Sequence, residues 1–321
     1  MKVLIVGAGI IGITYGWALD RAGHDITHIV RKGRIGRLDN GIAIDMLDTR
    51  QGRDKRIIDR YAIRAIDELD SSIHYDMVIV PVHHYDLIET LEQYVPFLNG
   101  SLFILLTQNW HGTSEIDHIL PRDRYVFGDA KAGGSFINDV LVTAIRTVDI
   151  GRVGKGSSNC LDKATELFAS ADLEPKSHED ILQYLWIQYA VAAGMWPPVV
   201  RMGSIEAVTK DLPESKQAFK GAKECLNVVS MRGVDLDGYP ETKMFGGNMV
   251  MDDGEISTMM SSFVDDEYSK RSSSHALNNV REVSTFYYDL LNTGRELGAD
   301  MSTMASYADD IKRFCEGQRT V

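Results

Sequence analysis

Cysteine is scarce: Cys160, Cys225 and Cys315 are the only three in 321 residues, and they lie far apart. That excludes a disulfide framework and a paired-cysteine metal motif; no metal is expected, and reduced thiols in a cytoplasmic protein fit the count. No apolar stretch reaches the roughly 18 residues of a membrane-spanning helix, and the start, Met1 to Gly7, turns glycine-rich without a cleavable signal pattern. Positive charge is also short, 34 Lys and Arg against 46 Asp and Glu for a net charge of −12. Such a chain is a poor general ligand for nucleic acid or for anionic membrane. Hydrophobic residues, at 44%, are plentiful enough to exclude a largely disordered chain. The length suggests two domains.

The first half alternates strand-like and helix-like stretches. Val3–Val6, Ile26–Val30, Met77–Val82 and Leu102–Leu106 are short apolar runs, and Ile10–Ala22 and Tyr85–Tyr94 between them have helical patterns. This alternation predicts an α/β fold, a Rossmann-type doubly wound parallel sheet. Val140–Val153 reads as one or two further strands and Asn159–Ala171 as the last helix of a domain over residues 1–177. From His178 to the end at 321 the pattern becomes mainly α-helical, with helices expected over Ile181–Ala193, Ser215–Arg232, Glu282–Leu297 and Met304–Cys315. Pro197-Pro198 should end the first of these, since proline lacks the amide proton. The polar stretch Asp252–Asn279 reads as a long loop.

Chemistry enters at Gly7-Ala8-Gly9-Ile10-Ile11-Gly12, which follows a strand and opens a helix. That context makes G-x-G-x-x-G a dinucleotide signature. Gly7 serves the tight turn, Gly9 the approach of the pyrophosphate, and Gly12 the packing of helix on strand. The helix N-terminus supplies amide protons to the anion. At the end of the second strand an NAD site carries an acidic residue, whereas an arginine suits the 2′-phosphate of NADP. Here stand Arg31 and Lys32, with Arg34 and Arg37 behind, so NADP(H) is the expected cofactor. The stretch from Arg31 to Arg64 holds ten basic and five acidic residues, which a solvated basic face would also explain.

At this point the chain resembles the ketopantoate reductase (2-dehydropantoate 2-reductase) family. The likeness runs through Gly7–Gly12, Arg31 with Gly41-Ile42, the strand end Val78 to His83, Leu106-Thr107-Gln108-Asn109, Trp186, and Arg281-Glu282-Val283 through Gly298. It implies a helical second domain for substrate and dimerisation, with a possible homodimer, and NADPH and a small 2-keto acid meeting between the two domains. By the same resemblance Asn109 lies near nicotinamide and substrate, Glu282 helps bind the substrate hydroxyl, and Ser262 is the substrate-binding serine. Asn109 equally suits a cap on the turn after its strand, and Glu282 equally suits an ordinary helix N-terminal residue.

The chain departs from the family where the proton donor belongs. The lysine two residues after the tryptophan is Gln188, and the asparagines four and eight positions on are Ala192 and Trp196, one stripe of a helix. The family lysine at the strand end is His83, and the glycine after Asn109 is Trp110. These changes point to a bulkier or more apolar substrate than ketopantoate. Substitute proton donors are His83, with His84 beside it, then Lys131 and, at the domain junction, His178. Three functions remain open: an NADPH-dependent oxidoreductase acting on a small keto compound, a catalytically inactive NADP(H)-binding sensor, and an imine reductase, whose substrate needs no general acid.

Overall fold

The computed structural model describes residues 1–154, 158–245, 252–273 and 279–317. The chain divides into compact units Met1–Leu182 and Gln183–Val321.

In the first unit, β1 (Lys2–Val6), α1 (Ile10–Arg21) and β2 (Asp25–Ile29) form the opening βαβ. There follow β3 (Ile42–Asp48), β4 (Lys55–Tyr61), β5 (Ala65–Ile66), β6 (Met77–Val80), α2 (Leu87–Tyr94) and β7 (Leu102–Leu106). Then come α3 (Ser114–Ile119), β8 (Tyr125–Ile137), β9 (Val140–Gly151), α4 (Ser158–Ser170) and β10 (Lys176–His178). One sheet takes them all, in the order β4-β3-β9-β8-β7-β6-β1-β2-β5, with β10 on β9. From β1 the chain winds one way through β2 and the other through β6, β7 and β8. The switch point therefore falls between β1 and β6, where open α/β sheets bind ligands beyond their carboxyl ends.

The sheet is parallel-dominated rather than purely parallel. β3–β4 and β8–β9 pair antiparallel. The second hairpin turns on Asn138 and Asp139, at φ 50° and 63°, flanked by the pair Ile137 and Val140. Two consecutive residues at positive φ make the two-residue turn whose twist matches the flanking strands. The core of this unit packs around fully buried Val3, Ile5, Met77, Ile79, Ile104 and Val126, because central parallel strands are covered on both faces. On α1, Tyr15 hands its hydroxyl to the Thr147 carbonyl at 2.9 Å, so the helix is pinned to β9 as well as packed.

The second unit is helical: α5 (Ile181–Met202, begun at the end of the first unit), α6 (Ile205–Lys210), α7 (Leu212–Met231), α8 (Asp253–Asp265), α9 (Glu267–Ser273), α10 (Val280–Glu296), α11 (Ser302–Ala305) and α12 (Ala308–Gly317). Two expectations are corrected here. Pro197-Pro198 lie inside α5, which continues to Met202. Proline at 198 frees the carbonyl of Gly194, and that carbonyl lies against Gly221 of α7. Tertiary packing thus carries the helix through a break that sequence alone would impose. The polar stretch after Asp252 is helical over α8 and α9, not a loop, and its residues 274–278 lie outside the described ones. A capping box starts α8: the Asp252 side chain accepts from the Glu255 amide while Glu255 accepts from the Asp252 amide.

The α5–α7 contact is a point of no tolerance. A Cβ on Gly194 would stand 2.2 Å from the Ala222 nitrogen, backbone that has nowhere to move. Gly194→Ala should therefore lower stability by about 1–3 kcal/mol, despite alanine's better helix propensity. A urea-denaturation midpoint unchanged from wild type would contradict this packing.

Candidate nucleotide-binding and catalytic site

The glycine turn has the form its sequence promised. Gly7 sits at φ +91°, closed to side chains, and its amide donates to the Ile29 carbonyl at 2.8 Å. A Cβ on Gly12 would lie 3.2 Å from the Gly7 carbonyl and 3.3 Å from Ile5, so α1 comes down on β1 at glycine distance. Ala8, Ile10 and Ile11 complete the turn, half-buried except for the exposed Gly9, where nothing stands within 4 Å of an added Cβ. The first turn of α1 has no acidic residue and no side-chain cap, so its amides and positive dipole end are left for an anion.

Beneath the turn lies a residue that the sequence reading missed. His28 of β2 is fully buried. Its Nδ1 lies 2.9 Å from the Gly7 carbonyl, which only accepts, so Nδ1 carries the proton. Nε2 then accepts from the Tyr61 hydroxyl at 3.2 Å. Burial holds the ring neutral and its pKa down at about 4, against a smaller upward pull from the Gly7 carbonyl. A histidine between Thr27 and Ile29, inside a strand-like run, was the available signal.

A cavity of about 500 Å³ opens beside the turn, lined by Gly7, Ala8, Arg31, Arg34, Arg37 and Tyr94 among others, with Asp86 and Glu89 also on its wall. Most of the remaining basic stretch is engaged elsewhere: Arg50 and Arg53 with Asp48, Arg56 with Asp45, Arg64 with Asp25. No carboxylate pairs with Arg31, Arg34 or Arg37 among the described residues. Lys32 is not on the cavity wall; it is exposed and paired with Glu68. The residues present fit a dinucleotide, since the turn is open, the helix end uncapped, and the cavity at the end of β2 walled by cations.

A second cavity, of about 370 Å³, is lined by His84, Gln108, Asn109, Trp110, His111 and Glu115 among others. Asn109 is buried, and its amide is largely spent on its own loop: Nδ2 donates to the Gly112 carbonyl and Oδ1 accepts from the Gly112 amide, each at 2.8 Å. The capping alternative is thus what its side chain does, although one N–H and one lone pair remain. His83 lines neither cavity; it is exposed and stacks on Tyr85 with ring centroids 5.1 Å apart. Lys131, expected after a strand, lies within β8 and pairs with Asp129.

In the second unit, Gln188, Ala192 and Trp196 form one half-buried stripe of α5. Trp186, two residues before Gln188, lies under the Arg232 guanidinium, 3.7 Å from the ring centroid. The Glu282 carboxylate accepts from Nδ2 of the N-cap residue Asn279 at 3.0 Å, and Asn279 in turn accepts from the Glu282 amide. Glu282 is therefore half of a reciprocal cap on α10. Ser262 is exposed on α8, its hydroxyl bonded to the Met259 carbonyl at 2.7 Å. Burial pushes the Cys160 thiol up to about 12 and the Cys225 thiol upward too, so neither is a nucleophile at neutral pH. Among the described residues no helix is long and apolar enough to cross a membrane, and no group of His, Cys, Asp and Glu could hold a metal ion.

Glycine turn, switch point and cation-walled cavity define a Rossmann-type dinucleotide-binding domain, here followed in the chain by a helical unit. Residues 3–153 match the model of the family described as ketopantoate reductase PanE/ApbA. Over 259 residues, 76% of this chain and 79% of the relative, it is 26% identical to the 2-dehydropantoate 2-reductase of Pyrococcus abyssi. The fold is shared with a PanE/ApbA family ketopantoate reductase from Ralstonia eutropha, at TM-score 0.72 and 17% identity, covering 99% of this chain and 100% of that one. It is shared equally with D-mandelate dehydrogenase in its ternary structure with NADH and anilino(oxo)acetate, at TM-score 0.72 and 13% identity over 99% of both chains.

Proposed function

We propose that this chain is an NADPH-dependent reductase of a small 2-keto acid. The observation that carries the reading is the wall at the end of β2: Arg31, Arg34 and Arg37 line the cavity where an NAD site would present a carboxylate. When bound, the reduced nicotinamide supplies the hydride. The chain's own part is positional. The amides at the head of α1 take the pyrophosphate, the arginines take the 2′-phosphate as charge-assisted hydrogen-bond donors, and the Asn109 loop shapes the neighbouring cavity. Trp110, buried where the family has glycine, and Ala192 and Trp196 in place of asparagines leave fewer polar groups for a hydroxylated substrate. An aromatic or branched 2-keto acid suits these residues better than ketopantoate, and the D-mandelate dehydrogenase of the same fold lends this reading support.

The Gln188 stripe favours a second reading, a nucleotide-binding sensor without turnover. One experiment separates the two. Calorimetry should find NADPH bound more tightly than NADH. NADPH absorbance should then fall steadily with at least one of ketopantoate, 2-oxoisovalerate and phenylglyoxylate. Binding with no oxidation on this panel supports the sensor, and oxidation only when an amine is added supports imine reduction. Failure to bind either reduced nucleotide refutes all three.

A further inference from the structure

Beside the Gln108-Asn109 turn, charged side chains gather on one face of the sheet. Asp129 and Asp149 are register partners across β8 and β9. Lys131, two residues after Asp129 and so on the same face, pairs with the Asp129 carboxylate and lies 3.9 Å from Asp149 Oδ2. The other Asp149 oxygen is 2.7 Å from His178 Nε2 on β10. That strand reaches β9 only because residue 151 is glycine: a Cβ there would stand 2.5 Å from the His178 carbonyl. Gln108 Nε2 donates to Asp129 Oδ1 at 3.0 Å, while Gln108 Oε1 is buried with no hydrogen-bond partner among the described residues. A buried acceptor of this kind needs a donor, and a bound ligand supplies one.

Three features set this cluster apart from an ordinary ion pair. The Asp149 and Asp129 side chains are only 5% and 12% exposed, a placement that costs several kcal/mol per ion and that a fold could avoid with apolar residues. The β8–β9 ladder slips where Lys131 faces two β9 residues, Arg146 and Thr147, so Lys131 stands opposite a bulge of β9, a feature that recurs beside active sites. The cluster also stands at the ligand-binding edge: the last β7–β8 pair is Leu106 with Gly128, immediately before Asp129. From β1 to β8 is three strand spacings, about 14 Å, on the side opposite the adenosine cavity beside β2.

We propose that Lys131, held between Asp129 and Asp149, is the proton donor for the reduction, in place of the family lysine that is Gln188 here. This rests on the reductase reading above. As hydride reaches the carbonyl carbon, the carbonyl π pair moves onto oxygen. An N–H bond of the Lys131 ammonium breaks, the O–H bond of the product alcohol forms, and the neutral amine recovers its proton from water.

The test is single-turnover NADPH oxidation by wild type, K131M and K131R, with the fastest keto acid of the panel, alongside NADPH affinity by calorimetry. Both variants should slow oxidation by about 10²–10⁴-fold and keep NADPH affinity within about twofold. Arginine keeps the positive charge but gives up no proton at neutral pH, so a merely structural ion pair would be rescued in K131R. Full rate in K131R or in K131M overturns the proposal alone. A wild type that binds NADPH and oxidises it with no member of the panel overturns the reductase reading, and this proposal with it.

Discussion

Arg31→Glu should raise the dissociation constant for NADPH by about 100-fold or more and leave that for NADH nearly unchanged. The argument is local. Arg31 lines the cavity at the end of β2, where the adenosine ribose of a dinucleotide bound to the Gly7 turn is held. A charge-assisted hydrogen bond from guanidinium to phosphate is worth about 1.5–3 kcal/mol. The substitution removes it and sets a carboxylate against the 2′-phosphate, so about 3 kcal/mol, or about 100-fold, is the expected loss. Arg34 and Arg37 remain on the wall, so binding should weaken rather than vanish. For NADH, which has no 2′-phosphate, the new carboxylate faces a hydroxyl it can accept from, as in an NAD site. Rising salt should narrow the gap between the two nucleotides in wild type, because exposed charges are screened. Equal affinity of wild type for NADPH and NADH would end the assignment of NADP.

The same residues show how far the sequence could be read. Gly7–Gly12 and Arg31 were legible because each answers to one local requirement: a turn, a close approach, a charge at a strand end. The hairpins were not. β4 is half exposed and carries Lys55, Arg56, Asp59 and Arg60 around a single Ile57-Ile58 pair, so it reads as a charged surface stretch. β8 carries Gly128, Asp129, Lys131, Gly133 and Gly134, which dilute any apolar run. Yet the spacing of Asp129 and Lys131 puts two charges on one face of a strand, and the Asn138-Asp139 pair suits the turn that closes the hairpin. The start of α8 was also there to be read, as Asp252 with Glu255 three residues on. What no local pattern could convey was the path of α5 through two prolines, since that depends on Gly221 and Ala222 of another helix. Likewise Asn109 and Glu282 satisfy family likeness and capping need alike. Only coordinates reveal that their amide and carboxylate are occupied by Gly112 and Asn279.

Lowering the pH should destabilise this protein through His28 before most of its carboxylates titrate. In the folded chain the ring is fully buried, donates to the Gly7 carbonyl and accepts from Tyr61, and its pKa is held at about 4. Unfolded, it returns to about 6.5. Between those values the unfolded state binds a proton that the native state refuses, so stability rises with pH across the window and is flat above about pH 7. The loss should reach about 2 kcal/mol by pH 5 and about 3 kcal/mol once both states are titrated. Protonation would also place a second donor against the Tyr61 hydroxyl and loosen the support under the Gly7 turn, so nucleotide affinity should fall over the same range. The measurement is urea unfolding of the nucleotide-free protein from pH 7.5 to 4.5, in wild type and in His28→Gln. Glutamine retains a donor for the Gly7 carbonyl but does not titrate, so subtracting its curve removes the contribution of the acidic residues common to both. A wild-type curve steeper than the variant's by about 2 kcal/mol between pH 7 and 5 is the expected result, and parallel curves would show that the buried imidazole carries no proton linkage.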